Sequence, residues 1–215
     1  MGWKAWKKFC SLELTRNLYL ISPNKIKKNF YSNLDKILSS KKVKYFQLRL
    51  KKYPVSKIFK IARIIKKITK KHKVKLIVND DYDLALRVKA DGCHLGQLDG
   101  CLKTAREKLK NKIFGVTCHN SKRLAKKASE CGADYLAFGS FFKSKTKPYA
   151  IKADLSIFKW AKKNVKKPIV AIGGINNQNY KKLIKRGAKY IAISSFIWDN
   201  PKLKPELAIK KFKWK

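Results

Sequence analysis

The chain has 215 residues, of which 54 are Lys or Arg and 13 are Asp or Glu, so its formal net charge is +41. Hydrophobic residues make up 45% of the chain, which is enough to fill a core and excludes a disordered protein. No apolar run approaches the roughly 18–20 residues that a transmembrane helix needs. We therefore expect a cytoplasmic protein whose residues 1–16 form a basic N-terminal extension, since no apolar stretch of signal-peptide length follows them.

Short apolar, β-branched segments alternate with amphipathic segments along the chain. The predicted strands lie at residues 18–22, 43–48, 74–78, 92–95, 112–117, 134–139, 168–172 and 189–194. The predicted helices lie near 25–40, 55–72, 81–88, 100–110, 121–131, 154–164, 177–186 and 203–212. Eight strand–helix pairs imply parallel strands, because each helix must cross back over the sheet. The prediction is an α/β fold, a single (β/α)8 TIM barrel over residues 17–215, with an open doubly wound sheet as the alternative.

The basic composition raises the question of a nucleic-acid partner. In residues 54–72, Ile58, Ile61 and Ile65 share one helical face, and lysines such as Lys60 and Lys67 lie off it, where water would be. The same pattern recurs in other predicted helices, so lysine is spread over many solvated faces. We therefore predict no specific nucleic-acid partner and no membrane partner, and the sequence leaves a homo-oligomer open.

In a barrel of parallel strands, the chemistry lies where the strands end and run into the following loops. The second predicted strand ends in Gln47, Arg49 and Lys51, which share one face because side chains alternate along a strand. Two cations and an amide on one face suit a polyanionic ligand such as a diphosphate.

Acidic residues are scarce but clustered. Five of the 13 lie between positions 80 and 99, namely Asp80, Asp81, Asp83, Asp91 and Asp99. Oxygen ligands from neighbouring strand ends are what Mg²⁺ needs when a diphosphate completes its coordination shell. Helix capping is the alternative for Asp80, Asp81 and Asp99, and a structural role is favoured for Asp83 and Asp91.

Later strand ends are suited to a single phosphate. Gly173 and Gly174 follow the seventh strand, and Ser194 and Ser195 follow the eighth. Glycines let backbone N–H groups approach an anion closely, hydroxyls add donors, and these two loops are the usual phosphate site of such barrels. Residues 143–147 form another anion-binding loop, in which hydroxyls alternate with lysines. His119, after the fifth strand, is either an acid–base group or an orienting residue.

Seven motifs in this order resemble the thiamine-phosphate synthase family, within a larger family that also holds thiazole tautomerases. They are Gln47-x-Arg49-x-Lys51, Asn79-Asp80, His94-Leu95-Gly96-Gln97-x-Asp99, Gly115-Val116-Thr117, Ser144-x-Thr146-Lys147, Ala171-Ile172-Gly173-Gly174-Ile175 and Ser194-Ser195. The resemblance covers roughly residues 17–200. It implies a transferase of thiamine biosynthesis that joins hydroxymethylpyrimidine diphosphate to hydroxyethyl-methylthiazole phosphate and releases pyrophosphate, with Mg²⁺ as cofactor.

The resemblance also implies roles for individual residues. The metal ligands would be Asp80 and Asp99. The groups that bind the pyrimidine diphosphate would be Gln47, Arg49, Lys51, Asn79, Thr117 and Lys147. The groups that bind the thiazole phosphate would be Ser144, Lys145, Thr146, Gly173, Gly174, Ser194 and Ser195. Among these, Arg49, Lys51 and Lys147 would stabilise the negative charge that grows on the leaving diphosphate.

Two other functions remain as alternatives. One is a thiazole tautomerase-like isomerase that uses His119 as a base and needs no metal; Asp80, Asp99 and Lys147 speak against it, since a tautomerase has no diphosphate to bind. The other is a nucleic-acid-binding protein on a barrel scaffold, which only the net charge supports and which predicts a steep dependence of binding on salt.

Overall fold

The computed structural model describes residues 17–143 and 152–214, and within them eight parallel strands close into a barrel in the order of the sequence. The strands are β1 (Leu18–Ile21), β2 (Val43–Leu48), β3 (Lys75–Asn79), β4 (Gly92–Leu95), β5 (Ile113–His119), β6 (Tyr135–Phe138), β7 (Ile169–Ala171) and β8 (Tyr190–Ile193). Each strand pairs in parallel with the next, and β8 pairs with β1. The predicted (β/α)8 barrel is confirmed, and the open sheet is excluded.

Helices follow the strands and cover the outside of the barrel. They are α1 (Phe30–Ser39), α2 (Val55–Lys71), α3 (Tyr82–Arg87), α4 (Leu102–Leu109), α5 (Lys122–Glu130), α6 (Ser156–Asn164), α7 (Tyr180–Lys185), α8 (Ser195–Trp198) and α9 (Pro205–Ala208), with a 3₁₀ turn at Ile209–Lys211. None of the helices in the described part of the chain is long and apolar enough to cross a membrane.

The sequence prediction misplaced the start of one helix and missed another helix. Helix α1 begins at Phe30 rather than near residue 25, because residues 22–29 form a loop at the carboxyl end of β1. Ser22, predicted as the last residue of the first strand, is the first residue of this loop and bonds to the backbone of Arg49. The short helix α8 was not predicted, since four residues are too few to show a helical period.

The strands have two buried faces. Outward side chains pack against the helices in the main core, while inward side chains fill the barrel with aromatic and small residues. The inward cluster consists of Tyr19, Ile21, Tyr135, Ala137, Val170 and Ala192, with Tyr45, Ile113, Ile172 and Tyr190 against it. Because side chains alternate along each strand, the next inward residues toward the carboxyl ends are Gln47, Asn79, His94 and Thr117, which places them at the mouth of the barrel.

Candidate active site

The end of β2 places two cations beside the mouth. Ser22, at the end of β1, fixes this segment: its hydroxyl donates to the Arg49 carbonyl at 3.2 Å and accepts the Arg49 N–H at 2.9 Å. Gln47 is buried and Arg49 half-buried. The Lys51 ammonium lies 2.8 Å from Oδ2 of Asp80. The β2 and β3 ends therefore meet through a cation and a carboxylate.

Asp80 and Asp99 face each other across the ends of β3 and β4. The backbone of Asp80 is held in a left-handed conformation, with φ of 67°, and its N–H donates to the His94 carbonyl at 2.8 Å. One oxygen of Asp99 accepts the Gly96 N–H at 2.6 Å. The two carboxyl groups are within hydrogen-bonding reach of each other.

This proximity perturbs the ionisation of the pair. Partial burial of Asp99, its hydrogen bond to Asp80 and the Asp80 charge raise the pKa of Asp99, against the opposing Gly96 N–H and Lys51 charge. A divalent cation would remove the repulsion between the two carboxylates. Within residues 17–143 and 152–214, no group of three or more His, Cys, Asp or Glu residues is arranged to hold a metal. Two carboxylates completed by substrate phosphates and water fit Mg²⁺.

The other acids of the cluster have structural partners. Asp81 is the N-cap of α3 and accepts the Leu84 N–H at 2.7 Å. Asp83 pairs with Lys108 on the exposed surface. Asp91 lies at the opposite end of the barrel from the mouth, before β4. Asp80 and Asp99 do not cap a helix; the N-cap of α4 is Cys101.

Residues at the end of β4 also form hydrogen bonds with Thr117 at the end of β5. His94 is a buried, inward residue of β4, with Nε2 2.8 Å from Oγ1 of Thr117 and Nδ1 3.0 Å from the Tyr135 hydroxyl. The Tyr135 hydroxyl in turn lies 2.7 Å from that of Tyr19. The Gln97 side-chain amide donates to the Thr117 carbonyl. Burial lowers the pKa of His94 to about 4, with a further contribution from Arg49 against the Asp99 charge, so the ring is neutral near pH 7.

The sequence reading treated His94 and Gln97 only as motif residues and missed this network. The available signal was the period of two in β1, β4, β5 and β6, which directs Tyr19, His94, Thr117 and Tyr135 to the barrel interior. Pairing between strands that are distant in sequence decides which of them touch.

The ends of β6 and β7 form a close backbone junction. The Phe141 and Phe142 N–H groups donate to the carbonyls of Ile172 and Gly173, each at 3.1 Å. Gly173 has φ of +105°, and a Cβ there would lie 2.6 Å from the Ser140 Cα. Gly174 has φ of +59°, and a Cβ there would overlap the backbone of the β6 loop. Both glycines are thus required by backbone approach as well as by conformation.

Ser194 connects β8 to β1. Its hydroxyl donates to the Ser22 carbonyl at 3.1 Å, and its carbonyl accepts the N–H groups of Ile197 and Trp198 in the first turn of α8. Ser195 is the first residue of α8. Since Ser22 also bonds to Arg49, one serine links the two predicted phosphate-binding sides of the mouth.

Some predicted residues are not placed by the structure. Ser144, Lys145, Thr146 and Lys147 lie outside the described residues, as does the predicted extension at residues 1–16. His119, the base of the tautomerase alternative, is exposed at the end of β5, beyond a shift in the β5–β6 register.

Comparison with known proteins now identifies the family. Residues 18–197 match the family described as thiamine monophosphate synthase. The chain belongs to this family. It is 57% identical over 197 residues to the thiamine-phosphate synthase of Pelagibacter ubique (strain HTCC1062), covering 91% of this chain and 95% of the relative. It is 42% identical over 191 residues to that of Erythrobacter litoralis (strain HTCC2594), covering 86% and 90%.

A solved structure agrees with this assignment. Thiamine phosphate pyrophosphorylase from Pyrococcus furiosus superposes with a TM-score of 0.81 at 29% identity, covering 92% of this chain and 93% of that one. The predicted family and its transferase class are confirmed, and neither the tautomerase nor the nucleic-acid-binding alternative is favoured.

Proposed function

We propose that this chain joins hydroxymethylpyrimidine diphosphate to hydroxyethyl-methylthiazole phosphate, with Asp80 and Asp99 holding Mg²⁺ and the β2 end holding the diphosphate. The observation that carries the proposal is the meeting of these two carboxylates with each other and with Lys51, whose ammonium lies 2.8 Å from Asp80. A diphosphate bound to a metal ion needs carboxylates that hold the dication and basic side chains that neutralise the remaining negative charge of the anion. An acidic pair next to a lysine supplies both.

The charge that develops in the reaction explains the distribution of residues. When the bond between the pyrimidine methylene and the diphosphate oxygen breaks, its electron pair leaves with the diphosphate. Bound Mg²⁺ would supply a positive charge to the leaving oxygens. Arg49 and Lys51 stabilise the same charge from the β2 side, and Lys147, which follows β6 in the sequence, is proposed to do so as well.

The new bond forms when the thiazole nitrogen donates its lone pair to the methylene carbon. This step requires no protein nucleophile, so the residues around it serve to hold the two rings in line and exclude water. Gln47, Asn79 and Thr117 are proposed to hold the pyrimidine substrate, because all three are inward residues at the mouth.

The opposite side of the mouth is proposed to bind the thiazole phosphate. Gly173, Gly174, Ser194 and Ser195 supply backbone N–H groups at the ends of β7 and β8, and Ser195 adds a hydroxyl, in the place where barrels of this type bind phosphate. The proposal adds Ser144, Lys145 and Thr146 from the β6 loop, by their match to the family motif.

The test is an assay of the full chain with both substrates. Release of pyrophosphate and formation of thiamine phosphate are measured with Mg²⁺, after chelation by EDTA, and after Mg²⁺ is restored. We expect equal amounts of the two products, loss on chelation and recovery on addition. The absence of thiamine phosphate, or turnover that persists in EDTA, would contradict the proposal.

A further inference from the structure

A chain of hydrogen bonds leads from the barrel interior to the mouth, and the proposed function uses only its outer end, Thr117. It runs from Tyr19 to Tyr135, from Tyr135 to His94 and from His94 to Thr117, with separations of 2.7, 3.0 and 2.8 Å. Tyr19, Tyr135 and His94 are all less than a tenth exposed, while Thr117 is half-buried. Within this chain, only the Thr117 end is therefore accessible from the mouth of the barrel.

The protons in this chain can be arranged in two ways, according to whether Nδ1 of His94 is bare and accepts from Tyr135 or carries a proton and donates to it. If the proton is on Nε2, then Tyr19 donates to Tyr135, Tyr135 donates to Nδ1, and Nε2 donates to Thr117. The Thr117 proton is then left to point outward. If the proton is on Nδ1, every bond reverses, and the Thr117 proton is used inside the chain.

The inner end of the chain decides between these arrangements. In the reversed arrangement, Tyr135 donates to Tyr19, and the Tyr19 hydroxyl needs another acceptor. Among the residues that the structure describes, Tyr135 is the hydrogen-bond partner of the Tyr19 hydroxyl, and Tyr19 is 2% exposed. A buried donor without an acceptor is costly, whereas the forward arrangement satisfies every buried proton.

We propose that His94 is a positioning residue, which holds the Thr117 hydroxyl as a hydrogen-bond donor toward an acceptor atom of the pyrimidine diphosphate substrate. This inference rests on the proposed function, which places that substrate at Thr117. It goes further by assigning the direction of the hydrogen bond: the substrate atom at Thr117 accepts a proton and does not donate one.

A second contact on Thr117 supports the assignment. The Gln97 amide donates to the Thr117 carbonyl, at the point where the β5–β6 register shifts and the ladder is irregular. His94 at the end of β4 and Gln97 just after it thus hold the hydroxyl and the backbone of Thr117, respectively. Two restraints from the same strand end fix the position and the rotamer of a side chain, which is what a directed hydrogen bond requires.

The proton on His94 can be measured directly. The chain has three histidines, and long-range ¹H–¹⁵N spectra of the full protein near pH 7 distinguish a protonated ring nitrogen from a bare one. The signals of His94 are assigned by their loss in His94→Gln. We expect Nε2 to be protonated and Nδ1 bare. A proton on Nδ1, or on both nitrogens, would overturn the proposal without any need for activity.

Kinetics test the effect on the substrate. His94→Gln places an amide N–H near the position of Nε2 and keeps a donor to Thr117, whereas His94→Asn places its amide near Nδ1 and does not. We expect His94→Asn to raise the KM for the pyrimidine diphosphate about tenfold, as for one lost hydrogen bond, and His94→Gln to restore most of it. The KM for the thiazole phosphate stays constant in both variants.

A double-mutant cycle separates positioning from a general structural role. In a Thr117→Val background, His94→Asn should not raise the pyrimidine KM further, because the hydroxyl that it orients is absent. Thr117→Ser keeps the hydroxyl and is the matched control. Additive effects, or equal losses in His94→Gln and His94→Asn, would overturn the positioning role. Failure of the wild-type chain to make thiamine phosphate would instead overturn the proposed function and leave the proton measurement standing.

Discussion

The two sides of the barrel mouth present charge in different ways. On the β2–β5 side, the groups at the mouth include basic and acidic side chains, with Lys51 in contact with Asp80 and Asp80 within hydrogen-bonding reach of Asp99. On the β7–β8 side, the described residues offer the backbone of Gly173 and Gly174 and the hydroxyl of Ser195, while the Ser194 hydroxyl is bonded to the Ser22 carbonyl. A leaving diphosphate gains charge during the reaction and needs ionised partners, whereas a phosphate that only anchors a substrate can be held by fixed dipoles.

The two sides also differ in what fixes them. The charged side is positioned by side-chain contacts, such as those of Ser22 with Arg49 and of Lys51 with Asp80. The neutral side is positioned by backbone-to-backbone approach at Gly173 and Gly174. Substitutions on the first side should therefore change chemistry with little effect on folding, and substitutions on the second should change both.

The largest effect is expected on the charged side. Asp99→Ala should lower kcat/KM at least about 100-fold at a fixed Mg²⁺ concentration, because a metal site supplies several kcal/mol of transition-state stabilisation. The Mg²⁺ concentration for half-maximal rate should rise. Asp83→Ala is the control, since Asp83 pairs with Lys108 on the surface. Unchanged turnover in Asp99→Ala would remove the metal role from this pair.

A glycine substitution tests the neutral side. Gly173→Ala should lower the free energy of unfolding by about 3 kcal/mol, because a left-handed φ is combined with overlap against Ser140. Gly187→Ala is the matched control, with φ of +110° and nothing within 4 Å of the added Cβ, and should cost only about 1 kcal/mol. Urea unfolding measures both. Equal losses of unfolding free energy in the two variants would mean that the close approach of the β6 and β7 ends does not contribute to the cost of the substitution.

The KM values for the two substrates test whether the charged side and the neutral side of the mouth act independently. Any Gly173→Ala protein that folds should show a raised KM for the thiazole phosphate and an unchanged KM for the pyrimidine diphosphate. A rise in both constants would show that the two sides are not independent.

The smallest effect is expected at Asp91, which belongs to the acidic cluster between positions 80 and 99 but lies at the end of the barrel opposite the mouth. Burial raises the pKa of Asp91, but hydrogen bonds from Lys66, the Leu76 N–H and Lys75 outweigh it and hold the pKa below 3.8. The ionised carboxylate therefore stabilises the fold above the unfolded pKa, and this stability is lost as the pH falls through the folded value.

Asp91→Asn should accordingly lower the free energy of unfolding at pH 7 by about 1–2 kcal/mol, with kcat/KM unchanged. The difference from wild type should shrink as the pH is lowered below 4. Unfolding by denaturant at a series of pH values checks this, with Asp83→Asn as an exposed control. A loss of activity in Asp91→Asn would contradict the division of acids between the two ends of the barrel.

Much of the architecture was predictable because it depends on local patterns. The apolar runs identify the strands to within about two residues, since burial on both faces requires them. Their order fixed the barrel, because parallel strands need crossing helices. The short helix α8 and the start of α1 at Phe30 were missed, since loop contacts rather than periodicity decide them.

The sequence by itself determined the barrel, the family and the residue types at each strand end, because these follow from hydrophobic period, chain order and motif spacing. Only the tertiary structure decided that Asp81 caps a helix while Asp80 meets Asp99, and that His94 contacts both Thr117 and Tyr135. These partners come from different strands, and the closure and register of the barrel, which no local segment specifies, bring them within bonding distance.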